Sequence, residues 1–142
     1  MSVTPQDFLD ALPYARALDM RLDSIAEGKV TISMPYNAEL IGDPATGVLH
    51  GGVVFTLLDT VSGLAAMLHP GSGGGTATLD LRVDYMRPAT PGQRIRAEGF
   101  CYNMTRTVAF IRAIACDDDA SRPVATATSA FTNEAGKMKV TA

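Results

Sequence analysis

The longest regular pattern in the chain runs from Val53 to Leu68, where Val54, Leu57, Leu58, Val61, Leu64, Ala65 and Leu68 recur at i, i+3, i+4 and i+7 without a proline. That spacing predicts a helix of roughly four turns at ~3.6 residues each. Its other side carries Phe55, Thr56, Asp59, Ser62, Gly63 and Ala66 and none of the Lys and Glu that coat a solvated helix, so a buried helix is expected. Upstream, Thr4-Pro5-Gln6-Asp7 reads as a helix start with Thr4 as N-cap, and Pro13 ends that helix. From Ala17 to Ile25 and from Lys29 to Met34 the period becomes two, split by Glu27-Gly28, which predicts a hairpin. Pro35 to Gly47 is loop-like.

Beyond the long helix, His69 to Gly75 is a breaker-rich linker, and four alternating runs follow: Thr76–Met86, Gln93–Tyr102, Thr107–Cys116 and Pro123–Phe131. In the first of these, Ala77, Leu79, Leu81, Val83 and Tyr85 share one face, with Thr76, Thr78, Asp80, Arg82 and Asp84 on the other. Residues 1–142 are therefore expected to form a single α+β domain, a mainly antiparallel sheet covering one buried helix. A sheet on one side of a helix leaves the sheet edge and the other helix face to be covered. The small residues Gly63 and Ala66 and the strand edges point to a symmetric homodimer.

Composition narrows the function. Of the 142 residues 46% are hydrophobic and 19% charged, so most of the chain is expected to be ordered. A net charge of −3 and a pI of about 5.2 argue against nucleic-acid binding and against a basic membrane-surface patch. The N-terminal stretch has no basic segment followed by a long apolar one, and no apolar run reaches the ~20 residues of a membrane span. A soluble cytoplasmic protein is the expectation. Cys101, Cys116 and two histidines form neither a disulfide framework nor zinc spacing, and the cysteines read as core thiols.

The candidate chemistry sits in Gly47 to His69. Asp59 is the only charged side chain of the long helix, and a carboxylate removed from water is costly unless paired or hydrogen-bonded. Gly51 and Gly52 stand before the expected first turn, where free N–H groups and the positive end of the helix dipole can hold a developing oxyanion. A polarising amide and a carboxylate about two turns apart are the two elements that hydrolysis of an activated acyl group requires.

Leu49-His50-Gly51-Gly52 through Asp59, followed by Thr78-Leu-Asp-Leu-Arg-Val-Asp-Tyr85-Met-Arg-Pro-Ala89, resembles the hotdog-fold acyl-CoA thioesterases of the phenylacetic-acid-degradation type, over roughly residues 15 to 135. The resemblance implies a hotdog fold, an antiparallel sheet wrapped around one central helix, in a homodimer that pairs into a dimer of dimers. It implies hydrolysis of an acyl-CoA, with no separate cofactor, coenzyme A arriving as part of the substrate. By the same resemblance Asp59 is the catalytic acid, and Gly51 the residue whose amide polarises the thioester carbonyl. His50 lies beside the thioester and Thr78 orients the attacking water. Asp43, Gly52, Tyr85, Arg87 and Arg106 are substrate-binding candidates, Asp43 standing near where many relatives carry Asn. A hotdog hydratase or dehydratase, and an acyl-CoA-binding module without activity, are the alternatives. For the basic residues a solvated sheet face is the alternative to phosphate contacts, since seven of the twelve Lys and Arg fall between Arg82 and Arg122.

Overall fold

Capping and turn residues set the element boundaries in the computed structural model, which describes residues 2–136 and 139–142. Helix α1 (Pro5–Ala11) starts in a capping box, the Thr4 hydroxyl accepting from the Asp7 amide and the Asp7 carboxylate accepting from the Thr4 amide. Pro13 stops α1 and also opens a second helix, α2 (Pro13–Ala17), because a proline at the first helical position loses no internal bond. The strand expected from Ala17 is thereby delayed to β1 (Arg21–Ala26). It joins β2 (Lys29–Met34) through Glu27 and Gly28 at φ 53° and 76°, a turn whose two left-handed residues match the strand twist.

Helix α3 (Gly51–Leu68) has 18 residues, starting two residues before the apolar pattern that predicts it. His50 is its N-cap: the Nδ1 atom accepts from the Gly52 amide at 2.9 Å, and the His50 carbonyl accepts from the Val53 amide at 3.0 Å. Gly51 and Gly52 therefore form the first turn instead of preceding it.

Strands β3 (Thr78–Tyr85), β4 (Ile95–Met104), β5 (Val108–Cys116) and β6 (Ala125–Thr132) complete a six-stranded sheet in the order β1-β2-β4-β5-β6-β3. Every neighbouring pair is antiparallel. Helix α3 lies across β2, β4 and β5, and Leu57, Leu58, Val61 and Leu64 are fully buried between them. This helix is long and apolar enough to cross a membrane, and here the sheet wraps it. At Gly99 of β4 a Cβ would lie 3.0 Å from the Val61 carbonyl oxygen, so only glycine lets helix and sheet backbones approach this closely.

The curled sheet covers more of α3 than one side. Ser62 and Ala66, expected on the outward small face, are buried inside the chain. What stays open is a narrower stripe: Gly51, Gly52 and Phe55 exposed, Thr56, Asp59, Thr60 and Gly63 half-buried.

Edge strand β3 departs from simple alternation. Ala130 of β6 pairs with Asp80 while Phe131 pairs with Thr78, so Leu79 is one residue too many. Such a bulge reverses the side-chain parity beyond it. Thr78, expected on the polar face with Asp80, Arg82 and Asp84, is instead turned towards α3, and Leu79 is left exposed.

Past β3 the chain is held by one buried carboxylate. Asp117 accepts two bonds from the Arg87 guanidinium, both at 2.7 Å, and further bonds from the Thr90 amide and hydroxyl and the Asp119 amide. These donors, Arg87 foremost, hold its carboxyl well below the usual carboxylate range. Because the folded value lies below the ordinary 3.8, the stability this group contributes is complete above that pH and is lost as the pH falls through and below it. Replacing Asp117 by Asn leaves Arg87 without its counter-charge and is expected to cost about 3 kcal/mol. That corresponds to a fall in Tm on the order of 10 °C at neutral pH. Thermal melts from pH 7 down to about pH 3 should show the difference from wild type beginning to shrink below the ordinary 3.8, as the carboxylate of the unfolded chain takes up a proton while the native one stays ionised. A constant difference would assign the loss to packing alone.

Candidate active site

Two clusters form along the open stripe of α3. At its middle, Thr78 Oγ1 donates to Asp59 Oδ1 at 2.8 Å. The parity reversal at Leu79 makes that bond possible, because it carries the hydroxyl from the solvent face of β3 to the helix. Asp59 Oδ2 makes no hydrogen bond among the described residues, and the Thr78 oxygen keeps lone pairs with which to accept from a water. A water held there would lie within reach of a base.

At the helix start, Tyr85 Oη donates to the Gly51 carbonyl at 2.7 Å, and the ring lies 3.4 Å from where a Gly51 Cβ would be. Burial pushes the Tyr85 hydroxyl above its ordinary value, which keeps it a donor at neutral pH. Of the first-turn amides, that of Gly52 is taken by His50 and that of Val53 by the His50 carbonyl. The Gly51 amide has no acceptor among the described residues. It stands at the positive end of an 18-residue helix, and Gly51 lines a 360 Å³ cavity with Leu49, Val54, Tyr85, Met86 and Val124.

The remaining candidates are placed differently. The ring of His50 is the helix cap, occupied by Gly52, so both serve the first turn. Asp43 turns both carboxylate oxygens onto its own loop, accepting from the Ala45 amide and the Thr46 hydroxyl. Arg87 is consumed by Asp117, Pro88, Asp119 and Arg122, which leaves none of its nitrogens for a substrate. Arg106 is exposed beside β5, where Asn133 ties its carbonyl to that of Gly71, at the end of α3 opposite Gly51. Absent from the sequence reading as site residues were Phe8 of α1 and Leu12, which caps that helix; both line a second cavity of 190 Å³ with Asp59. Their apolar spacing was visible, but nothing in the sequence sets α1 against the middle of α3.

A carboxylate and a free amide on one such helix, with the strand hydroxyl of Thr78 beside the carboxylate, are what activated-acyl hydrolysis calls for. The profile of the thioesterase superfamily matches residues 46–123, which include both clusters. The chain belongs to the thioesterase superfamily. Human acyl-coenzyme A thioesterase 13 is 30% identical over 115 residues, 78% of this chain and 80% of its own. A candidate esterase of Halobacterium salinarum is 33% identical over 87 residues, 59% of this chain and 58% of that protein's length. The solved structure of Escherichia coli PaaI, from the phenylacetic acid degradation operon, superposes with a TM-score of 0.79 at 18% identity, covering 94% of this chain and 92% of that one. The sheet wrapped on one long helix is the hotdog fold, and thioester hydrolysis is the reaction class of this thioesterase.

Proposed function

We propose that this thioesterase hydrolyses acyl-CoA as a soluble, cytoplasmic homodimer, two of which pair into a dimer of dimers, with each active site built from both subunits. The observation that carries the reading is the spacing on α3. The Gly51 amide and the Asp59 carboxylate are eight residues apart, about 12 Å along the axis at ~1.5 Å per residue, whereas both must stand ~3 Å from one thioester carbonyl. One chain cannot close that gap. Two antiparallel copies of the open α3 stripe, related by a two-fold axis, bring the Gly51 of each to the Asp59 of the other.

In the proposed step, a water accepted by Thr78 Oγ1 loses its proton to Asp59 Oδ2 and attacks the carbonyl carbon. The negative charge that develops on the carbonyl oxygen is met by the Gly51 amide of the other subunit. Collapse of the tetrahedral intermediate expels the thiolate of coenzyme A, which takes the proton back from Asp59, leaving the free acid and the thiol. No metal is invoked, and coenzyme A enters with the substrate. Arg106 is the arginine available to its phosphates, since Arg87 is engaged in the fold. A hydratase would need an Asp–His pair on the acyl chain. The two histidines instead accept backbone amides of Gly52 and Gly71, and neither is bonded to Asp59. An acyl-CoA-binding module without activity would bind the esters and release no thiol.

The test is a panel of short-chain, medium-chain and aryl acyl-CoAs, followed by release of free thiol, with light scattering at micromolar protein. Thiol release on at least one ester and a mass of two chains or more are expected. No turnover on any member, or a monomer, would count against the reading.

A further inference from the structure

The second cavity begins at the catalytic carboxylate and runs along α3. Asp59, Gly63 and Met67 follow one another at intervals of four, on one helix face. Beside them stand Leu64, Phe131 of β6, Phe8 of α1 and Leu12 at the end of that helix. Among the described residues lining this groove, apart from the Asp59 carboxylate and the Thr78 hydroxyl, the polar side chains are those of Thr60 and Thr76. Their protons are committed to the Thr56 and Thr132 carbonyls, at 2.8 and 2.9 Å. The amide-rich arm of coenzyme A would find no donor for its carbonyls here, whereas an apolar chain needs none. Gly63 keeps the groove open: a Cβ there would reach the Phe131 ring at 3.4 Å. The volume of 190 Å³ holds roughly six carbon-sized groups if each takes about 30 Å³, the share of a water in its liquid.

We propose that this groove, floored by Gly63 and roofed by Phe8 and Leu12, is the acyl-chain site, so that α1 sets the length of acyl chain the enzyme accepts. The substrate class is an aliphatic acyl-CoA with roughly six carbons beyond the carbonyl, by the same volume. This rests on the assignment of Asp59 as the base. Helix α1 is well placed to act as a gauge, since contacts of its own dock it: Leu9 is buried in the core and the Gln6 side-chain Oε1 accepts from the Leu22 amide at 3.2 Å.

The experiment compares butyryl-, hexanoyl-, octanoyl- and dodecanoyl-CoA on wild type, Gly63→Leu and Phe8→Ala. It reads kcat/KM in each, and Kd in the same three proteins carrying Asp59→Asn as well. Blocking an apolar pocket by a few methylenes is worth roughly 10- to 200-fold. Gly63→Leu should therefore lose at least about tenfold on octanoyl-CoA and stay within a few-fold of wild type on butyryl-CoA. Phe8→Ala should move the optimum towards dodecanoyl-CoA, and because Phe8 is only half-buried the fold should survive this change even if Gly63→Leu does not. Turnover with a chain-length profile that neither variant shifts overturns the groove as the acyl site. No turnover by wild type at any length, with Kd values that still follow chain length and shift as described, overturns the hydrolytic assignment and leaves the groove standing.

Discussion

Exchanging Asp59 for Asn is expected to lower kcat by 10² to 10⁴, roughly the worth of a positioned acid–base group, with little change in KM. The substitution keeps the shape and still offers an oxygen to the Thr78 hydroxyl, which lies 2.8 Å from Asp59 Oδ1. What it removes is the oxygen that takes the proton from water. The fold should be untouched or slightly more stable, because a half-buried charge is exchanged for a neutral amide. Steady-state kinetics and a thermal melt of the same preparation check both halves. If Asp59→Asn melts early while the folded fraction turns over at the wild-type rate, Asp59 is a structural residue and the mechanism fails. Single turnover in ¹⁸O-water adds a distinction: a base puts solvent oxygen directly into the acid, whereas a nucleophile first transfers its own oxygen.

Replacing Gly51 by Pro is expected to lower kcat by roughly 10² to 10³, the usual effect of deleting one oxyanion donor. Elsewhere in a helix proline is ruinous. At the first helical position it deletes only an amide that has no internal partner. The residue before it already fits, since His50 sits at φ −57° and ψ 135°, the extended region that a following proline requires. Helix content should be unchanged by circular dichroism. The two variants together test the shared site: after subunit exchange, half of the dimers are mixed and each carries one intact pair. Two proteins that are inactive alone should therefore recover about a quarter of wild-type activity on mixing. A mixture that stays inactive places both groups of a working site in one chain.

Much of this architecture was readable because strong local signals agreed with the fold. The stripe from Val54 to Leu68, the Thr4 cap and the Glu27-Gly28 turn each act within a few residues, and each element formed where its signal lay. Asp59 stood out as a charge on an apolar helix, and Gly51 as a glycine at its start. The failures were longer-range. Alternation placed Thr78 on the solvent face, and only the register with β6, some fifty residues onward, inserts Leu79 and turns the hydroxyl inward. Arg87 looked like a phosphate ligand, but Asp117 claims it, and no spacing rule joins residues thirty positions apart. Asp43 was read as a substrate contact and closes its own turn. Ser62 and Ala66 were expected outside because one-sided cover was assumed, and the curl of the sheet buries them.

The charges on the edge strand have an effect of their own. Asp80, Arg82 and Asp84 alternate along the outer side of β3, whose far flank has no neighbour in the sheet. When such a strand pairs with an antiparallel copy of itself, the residue on the two-fold axis decides which charges meet. An axis through Arg82 sets arginine against arginine and Asp80 against Asp84, and like charges directly opposite repel. Moving the axis by one residue, to Leu81 or Val83, sets Arg82 against an aspartate on each side. Three side chains thus act as a key that admits the odd centres and refuses the one at Arg82, and a slip of two residues between two chains, which moves the axis by one, meets repulsion instead of a ladder.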